Sequence, residues 1–283
     1  MFESENTLFF KQIKKNIIGL VICTILFFSG FFIHGNTGLY LNLSGFLIVV
    51  GGTLGATFLS YNMKRIEILF KVLKTSYSKP TINPNDIVKI LVDLSVKRRI
   101  QGLLALQDDE DETAIIFLRQ AIGLLVDGCS KEQIKELLSA EMYFFRMRRE
   151  ETRRVLLTMA DIAPSFGLVG SVVGLIGMLG GQGDSSIIML TVPVALTSTL
   201  YGIVLTNLIF LPFASNIKER TIQELFLQKI MTEGVLAISE DLHPRMLERK
   251  LKSFLTPSAR QGHFVSYDRI KEMFELEDGH ENA

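Results

Sequence analysis

Asp161 to Gly181 reads DIAPSFGLVGSVVGLIGMLGG. After Asp161 there is no charge until Asp184, so the stretch is long enough and apolar enough to cross a bilayer. Pro164 stands inside it. A proline has no N–H to return to the carbonyl one turn earlier, and lipid offers that carbonyl no water. A neighbouring helix or a wet path must satisfy it. Gly167, Gly170, Ser171, Gly174, Gly177 and Gly181 follow at steps of three and four. That spacing puts them on one helical face, where a second helix can approach closely. Such a helix is suited to lining something, beyond anchoring a chain.

Outward from this stretch the rest of the chain takes shape. Its 283 residues are 48% hydrophobic and 21% charged, with mean hydropathy +0.31. That balance implies membrane spans joined to a polar helical portion. Between Lys15 and Lys64 there is no Asp, Glu, Lys or Arg, and His34-Gly35-Asn36-Thr37-Gly38 divides the run. Span one is expected near 17–33 and span two near 39–60. Span three runs from Val155 to about Gly180, and span four follows the turn at Gly181–Ser186 as far as about Phe213. Residues 1–16 hold three Lys, residues 64–154 hold 17 Lys and Arg, and residues 214–283 hold ten, which accounts for all 30. Neither short hairpin carries one. By the positive-inside rule both termini and the central loop are expected in the cytoplasm. The expected fold is an all-α membrane protein with four transmembrane helices, a helical cytoplasmic domain between spans two and three, and a cytoplasmic C-terminal helix. The segments are 1–63, 64–154, 155–213 and 214–283.

In the central loop, Asn83-Pro84-Asn85-Asp86 predicts a capped helix start. A second helix is expected over roughly Glu112–Val126, stopping at Gly128. Ser130 and Gln133 form a capping box for a third, which runs unbroken through Phe144 and Arg154 into span three. Lys97-Arg98-Arg99 and the acidic run from Asp108 to Glu112 are the densest charge clusters. Net charge is zero, so nothing points to nucleic acid. Cys23 and Cys129 are far apart and suggest neither a disulfide nor a metal site. No Gly-rich nucleotide loop, metal cluster or nucleophile–base pair is visible, and no enzyme or cofactor is expected.

Ser171 on span three, Thr197, Ser198 and Thr199 on span four, and Thr24 and Thr53 on the first two spans are the hydroxyls at membrane depth. Most such groups bond their own backbone. A pair facing each other can instead coordinate water or a small cation. The glycine steps Gly51-x-x-x-Gly55 and Gly170-x-x-x-Gly174 read as helix-packing faces. Asp161 is the lone carboxylate of the apolar spans and lies only about 9 Å beyond Val155 along the helix. It suits ion access or helix capping, and is badly placed as a central proton carrier. If the chain conducts ions, the central carboxylate comes from another chain.

At these residues the chain resembles the MotA/PomA subunits of flagellar stators, within the wider MotA/TolQ/ExbB ion-channel family. The likeness runs from about residue 10 to 260. It rests on Gly51-Gly52-Thr53-Leu54-Gly55 in span two and Asp161-Ile162-Ala163-Pro164-Ser165-Phe166-Gly167 in span three. It continues through Val194 to Gly202, with Asn207 and Phe210-Leu211-Pro212 following, and His243-Pro244-Arg245 to Pro257 in the tail. The resemblance implies five such chains around two single-span MotB/PomB-like partners, which supply the ion-binding Asp in the inner membrane. Ser171 and Thr199 would line the path of a transported proton or sodium ion, and Pro164 and Pro212 would serve conformational coupling. Arg99, Gln107, Asp108 and Asp109 would meet the rotor switch protein. Gln107 departs from the acidic residue the family carries there. Ser171 keeps a hydroxyl where sodium-type members usually carry Thr. Two rivals are a TolQ/ExbB-like energiser of envelope transport and a non-conducting membrane scaffold. Lys11, Lys14 and Lys15 before span one argue against the first, because that group has three spans and an external N-terminus.

Overall fold

The computed structural model describes residues 22, 25, 26, 29, 30, 40–78, 82–107, 115–181 and 184–255. Among these the chain is helical and falls into two units, Met1–Pro80 with Glu151–Lys218, and Thr81–Glu150 with Glu219–Ala283. Most of the expected first span lies outside the described residues. Ile22, Ile25, Leu26, Ser29 and Gly30 within it are helical.

The first unit begins with α1 (Leu43–Ser60). Asn42 caps it, its Oδ1 accepting from the Gly45 N–H at 2.9 Å. After a two-residue break comes α2 (Met63–Ser78). The glycine face of the long helix Lys131–Gly180 then packs against the helix Ser185–Val204, whose first turn Asp184 caps at 2.9 Å. A six-residue π-helical segment, Leu205–Phe210, continues it into the helix Leu211–Ser239. Span four therefore has no helix break near Phe213. Three described helical runs are long and apolar enough to cross a membrane: Leu43–Ser60, Lys131–Gly180 and Ser185–Ser239. Leu168, Val172, Leu175, Leu179, Met189 and Leu190 are exposed on them, the last two by 76% and 71%. Such a surface is stable against acyl chains and costly in water. Leu69, Val155, Leu156, Ala160, Ala163, Phe210, Ala214 and Ile217 form this unit's core. The unit runs to Pro80 and so includes α2.

The second unit holds α3 (Pro84–Gln101), a short 3₁₀ turn at Leu104–Leu106 and α4 (Ile116–Val126). It also holds the start of α5 (Lys131–Gly180). With the Ser185–Val204 helix numbered α6 and Leu211–Ser239 numbered α7, α8 (Pro244–Ser253) is the last described helix. The starts follow the local chemistry read from the sequence. Asn83 accepts from the Asn85 N–H at 3.1 Å, with Pro84 in the first turn. The Ser130 N–H donates to Gln133 at 2.8 Å, and the Gln133 N–H returns to Ser130 at 3.3 Å, a closed capping box. Gly102 and Gly128 end α3 and α4 with φ of 85° and 75°, which an L side chain adopts only with strain. Leu91, Leu118, Ile122, Ile134, Ile230, Leu247 and Leu251 are among the fully buried side chains of the core. As expected, α5 passes from Lys131 to Gly180 without interruption.

Candidate functional site

The site grows from the crossing of α5 and α6. A Cβ on Gly170 would lie 2.4 Å from Ser198, one on Gly174 2.6 Å from the Ala195 nitrogen, and one on Gly202 2.7 Å from the Ala163 oxygen. At Gly174 and Gly202 the backbones are thus in contact, and a side chain at either position would force them apart. Gly51 and Gly55 behave differently: no atom of the described residues lies within 4 Å of either Cβ position, and both are exposed. Within the chain, the packing glycines of α1 are Gly45, against Ser198 and Thr197, and Gly52, against the Phe166 ring.

Pro164 leaves the Ala160 carbonyl without its helical donor. Across the crossing, Thr206 Oγ1 donates to that oxygen at 2.9 Å. Thr206 sits in the π segment, where the Leu211 N–H reaches back to the Thr206 carbonyl. The wider turn presents the hydroxyl as the helix passes the proline, a common use of π segments at functional positions. Pro212 follows directly and is exposed. Thr206→Val keeps the shape and removes the donor. It is expected to destabilise the chain in detergent by about 1–3 kcal/mol, the cost of a stranded buried carbonyl, with Thr206→Ser restoring most of it. Matching thermal melts for wild type and valine variant would show that the bond carries nothing.

The hydroxyls sort into two classes. Thr53 donates to the Val49 carbonyl at 2.6 Å, Thr197 to Pro193 at 2.6 Å and Ser198 to Val194 at 2.6 Å. These are backbone bonds within one helix. Ser171 and Thr199 instead meet across the helices, oxygen to oxygen at 2.6 Å. Ser171 Oγ also lies 2.6 Å from the Ala195 carbonyl and 3.2 Å from the Gly167 carbonyl. Both residues are half-buried, so a cluster of four oxygens opens from the helix crossing onto the surface of the unit. Its donors and acceptors are neutral, and hard oxygen ligands of this kind suit water or a small cation.

Asp161 is exposed on α5, about 15 Å along the helix from Ser171, so the structure does not bring it to the hydroxyl pair. Thr24 lies outside the described residues. Arg99 and Gln107 are exposed in the second unit, whereas Asp108 and Asp109 lie outside the described residues. Beside Arg99, Arg98 turns inward and donates to the Ser239 carbonyl at 3.4 Å. Among the described residues no group of His, Cys, Asp and Glu is arranged to hold a metal.

Thr206 is a residue that sequence reasoning did not single out, and Phe166 and Tyr201 entered it only within the stretches that carried the resemblance. The Asn42 N–H donates to Tyr201 Oη at 2.8 Å, and Tyr201 Oη donates to the Tyr40 carbonyl. This fixes the start of α1 against α6.

The profile of the MotA/TolQ/ExbB proton channel family matches residues 109–230, and that of the Motility protein A N-terminal region matches residues 17–99. Motility protein A of Borreliella burgdorferi is 33% identical over 223 residues, covering 79% of this chain and 86% of the relative. The chain belongs to the MotA/TolQ/ExbB proton channel family. Chemotaxis protein PomA of Vibrio alginolyticus is 28% identical, covering 86% of this chain and 96% of its own. Among solved structures, C. jejuni MotAB superposes with a TM-score of 0.81 at 28% identity, covering 88% and 99% of the two chains. The flagellar MotAB stator complex of Bacillus subtilis gives 0.80 at 25% identity, covering 86% and 96%. In this family member, Pro164, Thr199 and Gly202, from the stretches that carried the resemblance, fall with Ser171 at one helix crossing.

Proposed function

We propose that the chain is the ion-conducting stator subunit of a bacterial flagellar motor, coupling proton or sodium flow to torque. The observation that carries this reading is the Ser171–Thr199 pair at 2.6 Å, set on a charge-free small-residue crossing and open at the surface of the unit. The spans of this chain hold hydroxyls at that depth and no carboxylate. The titratable carrier is therefore lent by a MotB/PomB-like single-span partner, whose aspartate comes to rest beside Ser171 and Thr199. The MotAB complexes among the structural relatives support that partnership. Five copies of the chain enclose the partner in the inner membrane. Each copy has four spans, the first near 17–33, with both termini in the cytoplasm. Passage of each ion works the crossing at Pro164, where the Thr206 bond replaces a main-chain bond, and at Pro212 beyond the π segment. The exposed Arg99 and Gln107, with Asp108 and Asp109, take the rotor contact.

The test is a clean deletion in the source bacterium. Filaments are expected to assemble normally while swimming stops, and plasmid-borne wild type restores it. Normal swimming with a defect in envelope uptake would replace this reading with the energiser. Swimming speed with sodium exchanged for potassium, with and without a protonophore, identifies the coupling ion.

A further inference from the structure

The helix α2 has no part in the proposed ion path, and its surface is arranged in a way that packing among the described residues does not explain. Its register against the spans comes first. Tyr61, just before it, shares a hydrogen bond with Thr158 at 2.7 Å. Arg65 pairs with Glu151 at 3.5 Å, and Tyr77 meets the Phe213 ring edge-on at 5.8 Å between centroids. The pairings of Thr206 with Ala160 and of Gly202 with Ala163 set α5 and its partner antiparallel, which brings Phe213 level with about residue 153 of α5. Both ends of α2 therefore touch the bundle at nearly one depth, although sixteen residues span about 24 Å. The helix lies across the spans, at the level where Arg153 and Arg154 give way to Val155.

Around its axis, Leu69 and Ser76 are buried, Leu69 within the core of the spans. On one side of them, Met63, Phe70 and Tyr77 recur every seventh residue and are exposed by 66%, 67% and 57%. Beyond this apolar row lie Lys64, Lys71 and Lys74, all exposed. Lys71 is bridged to Glu67 at 2.6 Å. Neither Lys64 nor Lys74 has a side-chain ion partner among the described residues. Arg65, on the opposite side, turns toward Glu151 on the cytoplasmic stretch of α5. The apolar row thus faces the lipid level and the lysines face outward from the bundle.

We propose that α2 lies in the headgroup layer of the cytoplasmic leaflet, with Met63, Phe70 and Tyr77 set into the acyl boundary and Lys64, Lys71 and Lys74 binding the phosphates of anionic phospholipids. Three features assign this occupant. The helix begins two residues after a span ends, its long axis runs across that span, and its exposed face carries cations beside large apolar groups. Lysine stems reach along apolar surface while their ammonium groups stay at the phosphates. The inference concerns the lipid boundary alone and stands or falls independently of what the chain drives.

The chain contains no Trp, so Phe70→Trp supplies a single fluorescent reporter. The full chain is placed in nanodiscs of phosphatidylcholine, with or without phosphatidylglycerol at one third of the lipid. Lipids brominated near the headgroup are expected to quench the introduced indole strongly. Absence of quenching would overturn the proposal, since a second copy of the chain would then cover the row. In discs of mixed lipid, spin-labelled phosphatidylglycerol is expected to associate severalfold more than spin-labelled phosphatidylcholine. Combined Lys64→Gln, Lys71→Gln and Lys74→Gln is expected to bring that ratio close to one, while Lys131→Gln leaves it unchanged. An equal ratio in the wild type, or an unaltered preference in the triple variant, would overturn the lysine assignment.

Discussion

Gly202→Val is expected to abolish swimming and to leave little folded chain in the membrane. The first added atom would lie 2.7 Å from the Ala163 oxygen, 3.0 Å from the Pro164 Cα and 3.2 Å from the Ala163 carbonyl carbon. All three are backbone atoms of a helix, so none can swing aside as a side-chain end would. The helices must separate, and overpacking of that kind costs about 1–3 kcal/mol. Separation also stretches the Thr206 bond to the Ala160 carbonyl, one turn further along, and strands an oxygen at a further cost of about 1–3 kcal/mol. Together these consume a large share of the about 5–15 kcal/mol by which a domain is stable. Gly51→Ala provides the contrast, because no atom of the described residues lies within 4 Å of its Cβ position. The alanine variant is expected to accumulate and melt as the wild type does. Comparable melting temperatures and swimming for Gly202→Val and wild type would mean that α5 and α6 do not cross as closely as described.

That crossing shows how far the sequence could be read. Pro164 announced a stranded carbonyl, because the missing N–H is a property of proline wherever it stands. The glycines at steps of three and four announced a close approach, and Gly167, Gly170 and Gly174 meet backbone or short side chains as that pattern requires. Caps depend on two or three adjacent residues, and the Ser130–Gln133 box and the Asn83 start were legible for that reason. Thr206 was not. Its partner is 46 positions away, and nothing local distinguishes it from a threonine that bonds its own helix. One signal was present: folding the chain about Gly183 places 160 opposite 206. Register of this kind becomes usable only once the hairpin is assumed tight. The split between Gly51 and Gly52 was beyond pattern reading as well, since both satisfy a small-residue spacing and only rotation of α1 about its axis decides which one meets Phe166.

Thr199→Val is expected to cut ion conduction and swimming torque by at least about tenfold while the complex with its partner still forms. Valine fills nearly the same volume as threonine, so the packing of α6 is retained. Ser171 loses one neighbour yet keeps two acceptors for its hydrogen, the Ala195 carbonyl at 2.6 Å and the Gly167 carbonyl at 3.2 Å. No buried donor is stranded, so the variant is expected to fold. What disappears is one of the four oxygens available to a passing ion or to the water that carries its proton. A hydrogen bond to a charged group is worth about 1.5–3 kcal/mol, and each 1.36 kcal/mol on a barrier is a factor of about ten in rate. Thr199→Ser restores the oxygen and is expected to recover most of the flux, which a purely steric role for residue 199 would not predict. Ser171→Ala removes the oxygen that Thr199 faces. If the two act on the same ion, the double variant is expected to lose less than the product of the two single losses, the mark of coupled groups. Reconstituted complexes in liposomes, assayed for flux at fixed driving force, separate these outcomes. Undiminished flux in Thr199→Val would place the ion path elsewhere on the bundle. Multiplicative losses would mean that the hydroxyls, although 2.6 Å apart, serve the ion at separate steps.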